Sequence, residues 1–344
     1  MTLSKRGRWI AGGVAVVVVA AVLLVVLSLT GAAPTVITRL THINEDKPTC
    51  PLTGTEVKKV PDRPALAVKV ENLPEARPQS GLNKADIVYE EPVEGGITRF
   101  IVVYQCQGAD RIGPVRSGRL TDPPVLVQYG HPLFGYAGGV PQVISAVRSA
   151  GIKDVNFNVA ADAYHQDPSR SAPHNTYTST QALYKAGHTD EGPPDPVFSY
   201  SSDVPDHAKD AKSAHAYFSG SSDVYWRWNG KRGVWLRYHG SEPHMLEGDV
   251  QVSAKNVVIQ IVKIKYTGIH DVAGSPSPEA ITVGSGKAYV LRDGKVIVGK
   301  WVRPSEDDMT KLETKSGDEI SLTPGNTWVE LYPNDRPAVE ISKK

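Results

Sequence analysis

Between Trp9 and Leu29 the chain carries no charged side chain, and valine, alanine and leucine make up most of the run. About twenty apolar residues are enough to span a bilayer as a helix. Lys5, Arg6 and Arg8 flank the run on its N-terminal side, which predicts that the N-terminus stays inside and everything after the run lies outside. Cleaved signal peptides have shorter apolar cores, roughly 7–15 residues. Residues 1–30 therefore read as an uncleaved signal-anchor, with "TGAAP" behind the run leaving cleavage open. The rest of the chain must fold as an exported body.

That body is large enough for two packed cores. Removing the three cations of the leader from 38 leaves 35 basic against 37 acidic residues, a near-neutral balance. A general nucleic-acid binder would show a basic excess, so nucleic acid is not expected as a partner. Only Cys50 and Cys106 are present. In an oxidising exterior such a pair forms a disulfide, here expected to tie the start of the folded region to "RFIVVYQC". Two free buried thiols remain the alternative.

Residues 31–62 are polar and contain proline, as suits a tether and lead-in loop. "ALAVKVEN" (65–72) reads as a strand, and "ADIVYEEPVEGGITRFIVVYQC" (85–106) as two strands joined at Gly-Gly. Val140, Ile144 and Val147 recur at helical spacing between Pro141 and Gly151, and "TSTQALYKAG" (178–187) carries helix start and stop signals. Residues 63–190 are thus expected to form a mixed α/β domain. Residues 191–214, rich in proline, serine and aspartate, read as a linker. From 215 to 341 the pattern is all-β, with an Asn-Gly and an Asp-Gly turn marking hairpins, and a small barrel or sandwich is expected. The predicted class is α+β followed by a β-rich domain, behind a transmembrane helix.

Candidate chemistry concentrates in the Gly-, Pro- and Ser-rich stretches of the first domain. "RIGPVRSGR" (111–119) holds three arginines on a segment that cannot be a regular helix. Arg116 and Arg119 can converge on one anion, since guanidinium matches carboxylate and phosphate with paired N–H groups. Arg77, Arg99, Asn72 and Asn175 are candidates to complete the wall. The competing reading pairs these arginines with Glu75, Glu90, Glu91 or Glu94 as internal ties. His174, next to Asn175, is the candidate acid or base if the protein is an enzyme, with Glu94 as its partner. Ser117 lacks a nucleophile motif. "GSGKA" (284–288) lacks phosphate-loop spacing. His239 and His244 are five apart with Glu242 between them, but they lie in an expected loop with no third metal ligand evident, so no metal or cofactor is expected. Five of the six tryptophans lie in the second domain and are read as packing residues.

The ordered set "ARPQSGL", "ADIVYE", "EGGITRF", "GPVRSGR", "AGGVPQ" and "APHNTYT", followed by "SGKAYVLRDGKVIVGKW" and "TPGNTWVELYP", resembles the YerB-like family of bacterial lipoproteins. The resemblance spans nearly all of residues 51–335. It implies a two-domain, envelope-facing bacterial protein and no particular reaction. The chain departs from it in lacking a lipid-acceptor cysteine behind the apolar run, so a protein anchor takes the place of the lipid. Val140 and Gly118 stand where the family tends to show serine and alanine.

The leading expectation is a single-pass protein of the bacterial cell membrane. Its extracytoplasmic part would bind an anionic cell-wall or membrane component in an arginine- and glycine-lined cleft. The alternatives are a glycan or phosphodiester hydrolase or transferase using His174, and a scaffold for other envelope proteins.

Overall fold

The computed structural model describes residues 47–271 and 274–343. The expected signal-anchor and most of the tether lie outside them; among the described residues no helix is long and apolar enough to cross a membrane. From Pro48 onward the chain gathers into one compact unit.

The first half supplies strands β1 (Leu66–Glu71), β2 (Ile87–Pro92), β3 (Thr98–Tyr104), β4 (Leu133–Gly135) and β5 (Lys153–Asp154). It also supplies helices α1 (Asp122–Leu126), α2 (Pro141–Ser149) and α3 (Thr180–Gly187). The second half is all-β. Its main strands are β6 (Ser213–Ser219), β7 (Ser222–Asn229), β8 (Val234–His239), β9 (Asn256–His270) and β10 (Pro276–Ile281). They continue with β11 (Gly284–Arg292), β12 (Lys295–Arg303), β13 (Lys311–Glu313), β14 (Thr327–Pro333) and β15 (Glu340–Ser342).

The second half does not close on itself as a barrel or an independent sandwich. One sheet runs in the order β13-β12-β11-β9-β14-β2-β3-β1-β4-β5 and so crosses from one half to the other. The seam is β14, which lies parallel to β9 on one side and to β2 on the other. The second sheet, with β8, β7, β6 and β15 in that order, packs over one face of the first.

Strand periodicity explains the layering, because alternate side chains point to opposite faces. Leu66, Val68 and Val70 of β1, with Phe100 and Val102 of β3 and Trp328 of β14, meet Trp226 and Trp235 of the second sheet. Ala67 of β1, with Ile101 and Val103 of β3, faces Val125 and Leu126 of α1 and Val147 of α2. In α2, Val143 and Val147 are buried and Val140 occupies the N-cap position, lying at the rim of the cleft described below. The expected disulfide is present between Cys50 and Cys106.

Candidate functional site

The alternation that builds the core also sorts the charges. On the helix-side face of the sheet, Ala67 is followed along β1 by Lys69 and Glu71; Glu91 and Arg99 lie on the same face of β2 and β3. All four are buried. Charges out of water must find partners, and these organise the end of the sheet. Lys69 Nζ bridges Glu91 and, at 2.6 Å, Asp122 Oδ1. The other Asp122 oxygen accepts the Arg119 backbone N–H at 2.6 Å. The segment "RIGPVRSGR" lies directly beside β1. Ile112 and Val115, both fully buried, anchor it. Its backbone bonds β1 through Glu71 N to Pro114 O and Arg116 N to Lys69 O, and it bonds the strand Thr176–Thr178 through Val115 N to Thr176 O.

Above this floor lies a cleft of about 520 Å³. Arg99, Arg116 and Arg119 all line it, with Gly118 and Gly139 at the backbone and Ile269, His270 and Ser277 from β9 and β10 opposite. Arg116 donates from Nε to Glu71 Oε1 at 2.9 Å. Arg119 donates from Nε and Nη2 to Glu94 Oε2 at 2.9 and 2.6 Å. Burial works to raise the Glu94 carboxyl, but the Arg119 hydrogen bond and charge outweigh it and hold the group below its ordinary value. Arg99 differs. It is only 6% exposed, touches no carboxylate, and donates from Nη1 to the Ser117 carbonyl at 2.9 Å. Its Nε has no hydrogen-bond partner. Burial, and then the Arg119 and Arg116 charges beside it, lower its pKa to about 10. Arg99 thus makes no ion pair of its own, within a cluster whose four cations, Lys69, Arg99, Arg116 and Arg119, face the four carboxylates of Glu71, Glu91, Glu94 and Asp122.

His174 reaches the same cluster from outside. Its Nδ1 lies 2.9 Å from Glu71 Oε2. A carboxylate oxygen accepts, so Nδ1 carries the proton of this contact, and Nε2 makes no hydrogen bond among the described residues. The expected partner, Glu94, is committed to Arg119 instead, because Glu71 is the carboxylate that the end of β1 places beside the histidine loop. The Asn175 side chain makes no hydrogen bond recorded among the described residues, and its carbonyl accepts from Asp167 N at 2.7 Å.

Asn72 and Arg77 fall outside the cleft. Asn72 is buried and donates to Thr98 Oγ1 at 2.8 Å; Arg77 donates to the Asn72 carbonyl at 2.8 Å. They border a second network on the opposite face of the sheet. There Arg237 Nη2 donates to both Glu90 oxygens at 2.9 and 2.7 Å. Arg237 Nη1 donates to His244 Nδ1, and His244 Nε2–H in turn donates to Gln79 Oε1. Burial, then the Glu90 charge, push the neighbouring Glu330 carboxyl well up. His239 and His244, the residues weighed for metal, are held neutral by burial and by Arg237. Arg111 and Arg170 serve as ties: Arg111 bonds Asp167 and Glu247, and Arg170 reaches Glu247 at 3.5 Å.

Sequence reasoning missed Glu71, Lys69 and Asp122. A signal was there, since Lys69 and Glu71 interrupt one face of an otherwise apolar strand, a pattern a buried strand tolerates only with partners. The contribution of His270 and Ser277 had no comparable signal, because it depends on β10 folding back along β9.

Two family descriptions match the chain. "Protein of unknown function (DUF3048) N-terminal domain" covers residues 52–193, and the corresponding C-terminal domain covers 214–329. The chain is 29% identical over 309 residues to "Putative lipoprotein YerB" of Bacillus subtilis (strain 168), across 85% of this chain and 88% of that one. The crystal structure of the YerB protein from Bacillus subtilis superposes with a TM-score of 0.74 at 26% identity, covering 86% of this chain and all of that one.

Proposed function

The chain belongs to the two-domain DUF3048 family that includes YerB, and from that premise we propose that it is an extracytoplasmic envelope protein whose arginine cleft binds an anionic cell-envelope ligand. One observation carries the reading: Arg99 is a buried guanidinium without a carboxylate partner, lining the same cleft as Arg116 and Arg119. Ion pairs that exist only to hold loops together tend to close their charge. Arg99 makes no such pair, which leaves its guanidinium for an incoming anion, and guanidinium groups suit phosphate or carboxylate. The envelope placement is supported by the lipoprotein description of the relative, by the apolar run Trp9–Leu29, and by a disulfide, which persists in oxidising compartments.

The test is thermal unfolding of the full chain against phosphate, sulfate and envelope-derived carboxylates and phosphates. A ligand at about one hundred times its Kd stabilises by about 2.7 kcal/mol. A concentration-dependent rise that disappears in Arg99→Gln is the expected result. A flat wild-type response across the panel rejects the reading and favours the scaffold, in which the arginines only tie loops.

A second reading is favoured by the His174–Glu71 contact, which orients an imidazole with Nε2 unengaged. In it the protein is a glycan or phosphodiester hydrolase or transferase. His174 exchanges the proton, and Arg99 and Arg116 stabilise developing negative charge. Turnover with a bell-shaped pH profile, lost in His174→Ala, is its signature; a variant that retains turnover excludes this mechanism.

A further inference from the structure

A second hollow, of about 320 Å³, adjoins the arginine cleft, and Glu94 and Ile97 line both. Its chemistry is different. Ile97, Phe218, Ile264 and Tyr266 supply apolar wall, and Tyr266 stands 55% exposed above it. Four further lining positions are prolines: Pro92, Pro276, Pro278 and Pro333. Apart from Glu94, which Arg119 holds, the one charged lining group is Arg336, and it faces Asp335 at 3.8 Å.

Resting on the anion-binding reading of the cleft, we propose that the ligand is an anionic amphiphile. Its phosphate group sits among Arg99, Arg116 and Arg119, and its hydrocarbon chain lies in the adjoining groove. Three features argue for this occupant. The first is charge. Three guanidinium groups, Arg99, Arg116 and Arg119, line the cleft, and Arg99 among them makes no ion pair, so the anion belongs at that end. The second is apolar surface. An exposed tyrosine beside isoleucine and phenylalanine gains by being covered, at about 25 cal/mol for each Å² removed from water. The third is what the groove withholds. Proline has no N–H, so at four lining positions the backbone offers no donor to an extended chain. A peptide laid there would find no backbone donor at those four positions, and each of its carbonyls left unpaired is costly out of water. A hydrocarbon chain asks for no hydrogen bonds. The pairing of an arginine end with a donor-poor apolar end therefore selects a lipid-type phosphate over a peptide carboxylate.

The test is calorimetric titration of the full chain with inorganic phosphate, methyl phosphate, butyl phosphate and hexyl phosphate, each below its micelle concentration, with hexanol as the uncharged control. Each methylene fully buried is worth about fourfold in affinity, so hexyl phosphate is expected to bind roughly tenfold or more tightly than methyl phosphate. The doubly substituted Ile264→Ser, Tyr266→Ser chain is expected to bind inorganic phosphate like the wild type but to lose the gain with chain length. Arg99→Gln is expected to weaken every phosphate in the series. Phosphate binding with no chain-length gain overturns the amphiphile and leaves the anion cleft standing. Absence of binding by any phosphate overturns the cleft itself. Hexanol binding as tightly as hexyl phosphate, a chain-length gain that survives in the double variant, or a short peptide with a free carboxylate binding more tightly than hexyl phosphate each overturns the proposed ligand.

Discussion

A charged side chain on a buried strand is a commitment, and residue by residue this molecule meets it in different ways. Lys69 is matched by two carboxylates and Glu71 by an arginine and a histidine. Asp86 is matched by backbone alone: one oxygen accepts from Gln105 N at 2.5 Å and Cys106 N at 3.1 Å, while Oδ1 has no partner. Burial raises its carboxyl from 3.8 to about 6 despite those hydrogen bonds. The folded state therefore holds this proton more tightly than the unfolded state. Between about pH 4 and pH 6 unfolding releases it, so this group's contribution falls as pH rises through that window, by about 3 kcal/mol in total. Asp86→Asn removes the titration. Denaturant unfolding of the two proteins across pH 4 to 7 is expected to give a stability difference that changes by about that amount, and a constant difference would show that Asp86 does not titrate there. The arginines of the cleft were readable as residues because fixed cations in glycine-rich loops are conspicuous. Their partners were not, because a glutamate at the end of an apolar strand shows its role only when the facing strand and loop are in place.

At the scale of elements the sequence was most informative where turn chemistry is strict. The Asp-Gly pair between β11 and β12 forms the predicted two-residue connection, with φ of 49° at Asp293 and 71° at Gly294, a conformation that favours glycine at the second position. The Asn-Gly pair also marks a hairpin, but the loop is longer. Pairing ends at Asn229 with Val234, and Asn229 Oδ1 accepts from Arg232 N at 3.0 Å instead of closing a two-residue turn. The tryptophans are packing residues as expected, with Trp226, Trp235, Trp301 and Trp328 buried. The lead-in segment before β1 depends on its link to the end of β3. Cys50 and Cys106 are 56 residues apart, and a cross-link of that span limits the unfolded chain by about 4 kcal/mol in the entropic account. Replacing both cysteines by serine is expected to lower unfolding stability by roughly that much, with the wild type falling to the same value under reductant. Equal stability with and without the bridge would show that the segment is held by its packing alone.

For the whole molecule, local pattern was silent on the decisive pairing. Each half reads in sequence as its own domain, and nothing in "TWVELYP" announces that it will lie between β9 and β2. Yet Ile87 to Glu90 pair in parallel with Thr327 to Glu330. Above that seam Arg237 from the second half is bound to Glu90 from the first, and Trp226 donates to Glu330 at 2.7 Å. Separating the halves would expose the β2 edge, uncover the apolar face on which Trp226 and Trp235 pack, and part Glu90 from Arg237. The two halves should therefore unfold together. The molecule carries its own reporters for this. Among the described residues every tryptophan lies in the second half and every α-helix in the first. Tryptophan fluorescence and the helical far-UV signal thus follow different halves of the same sheet. Coincident denaturant transitions by the two probes are the expected result, as all-or-none unfolding requires. A helical transition displaced from the fluorescence transition would mean that the β2–β14 seam parts so that one half melts without the other, and that the arginine cleft, walled by both, opens with it.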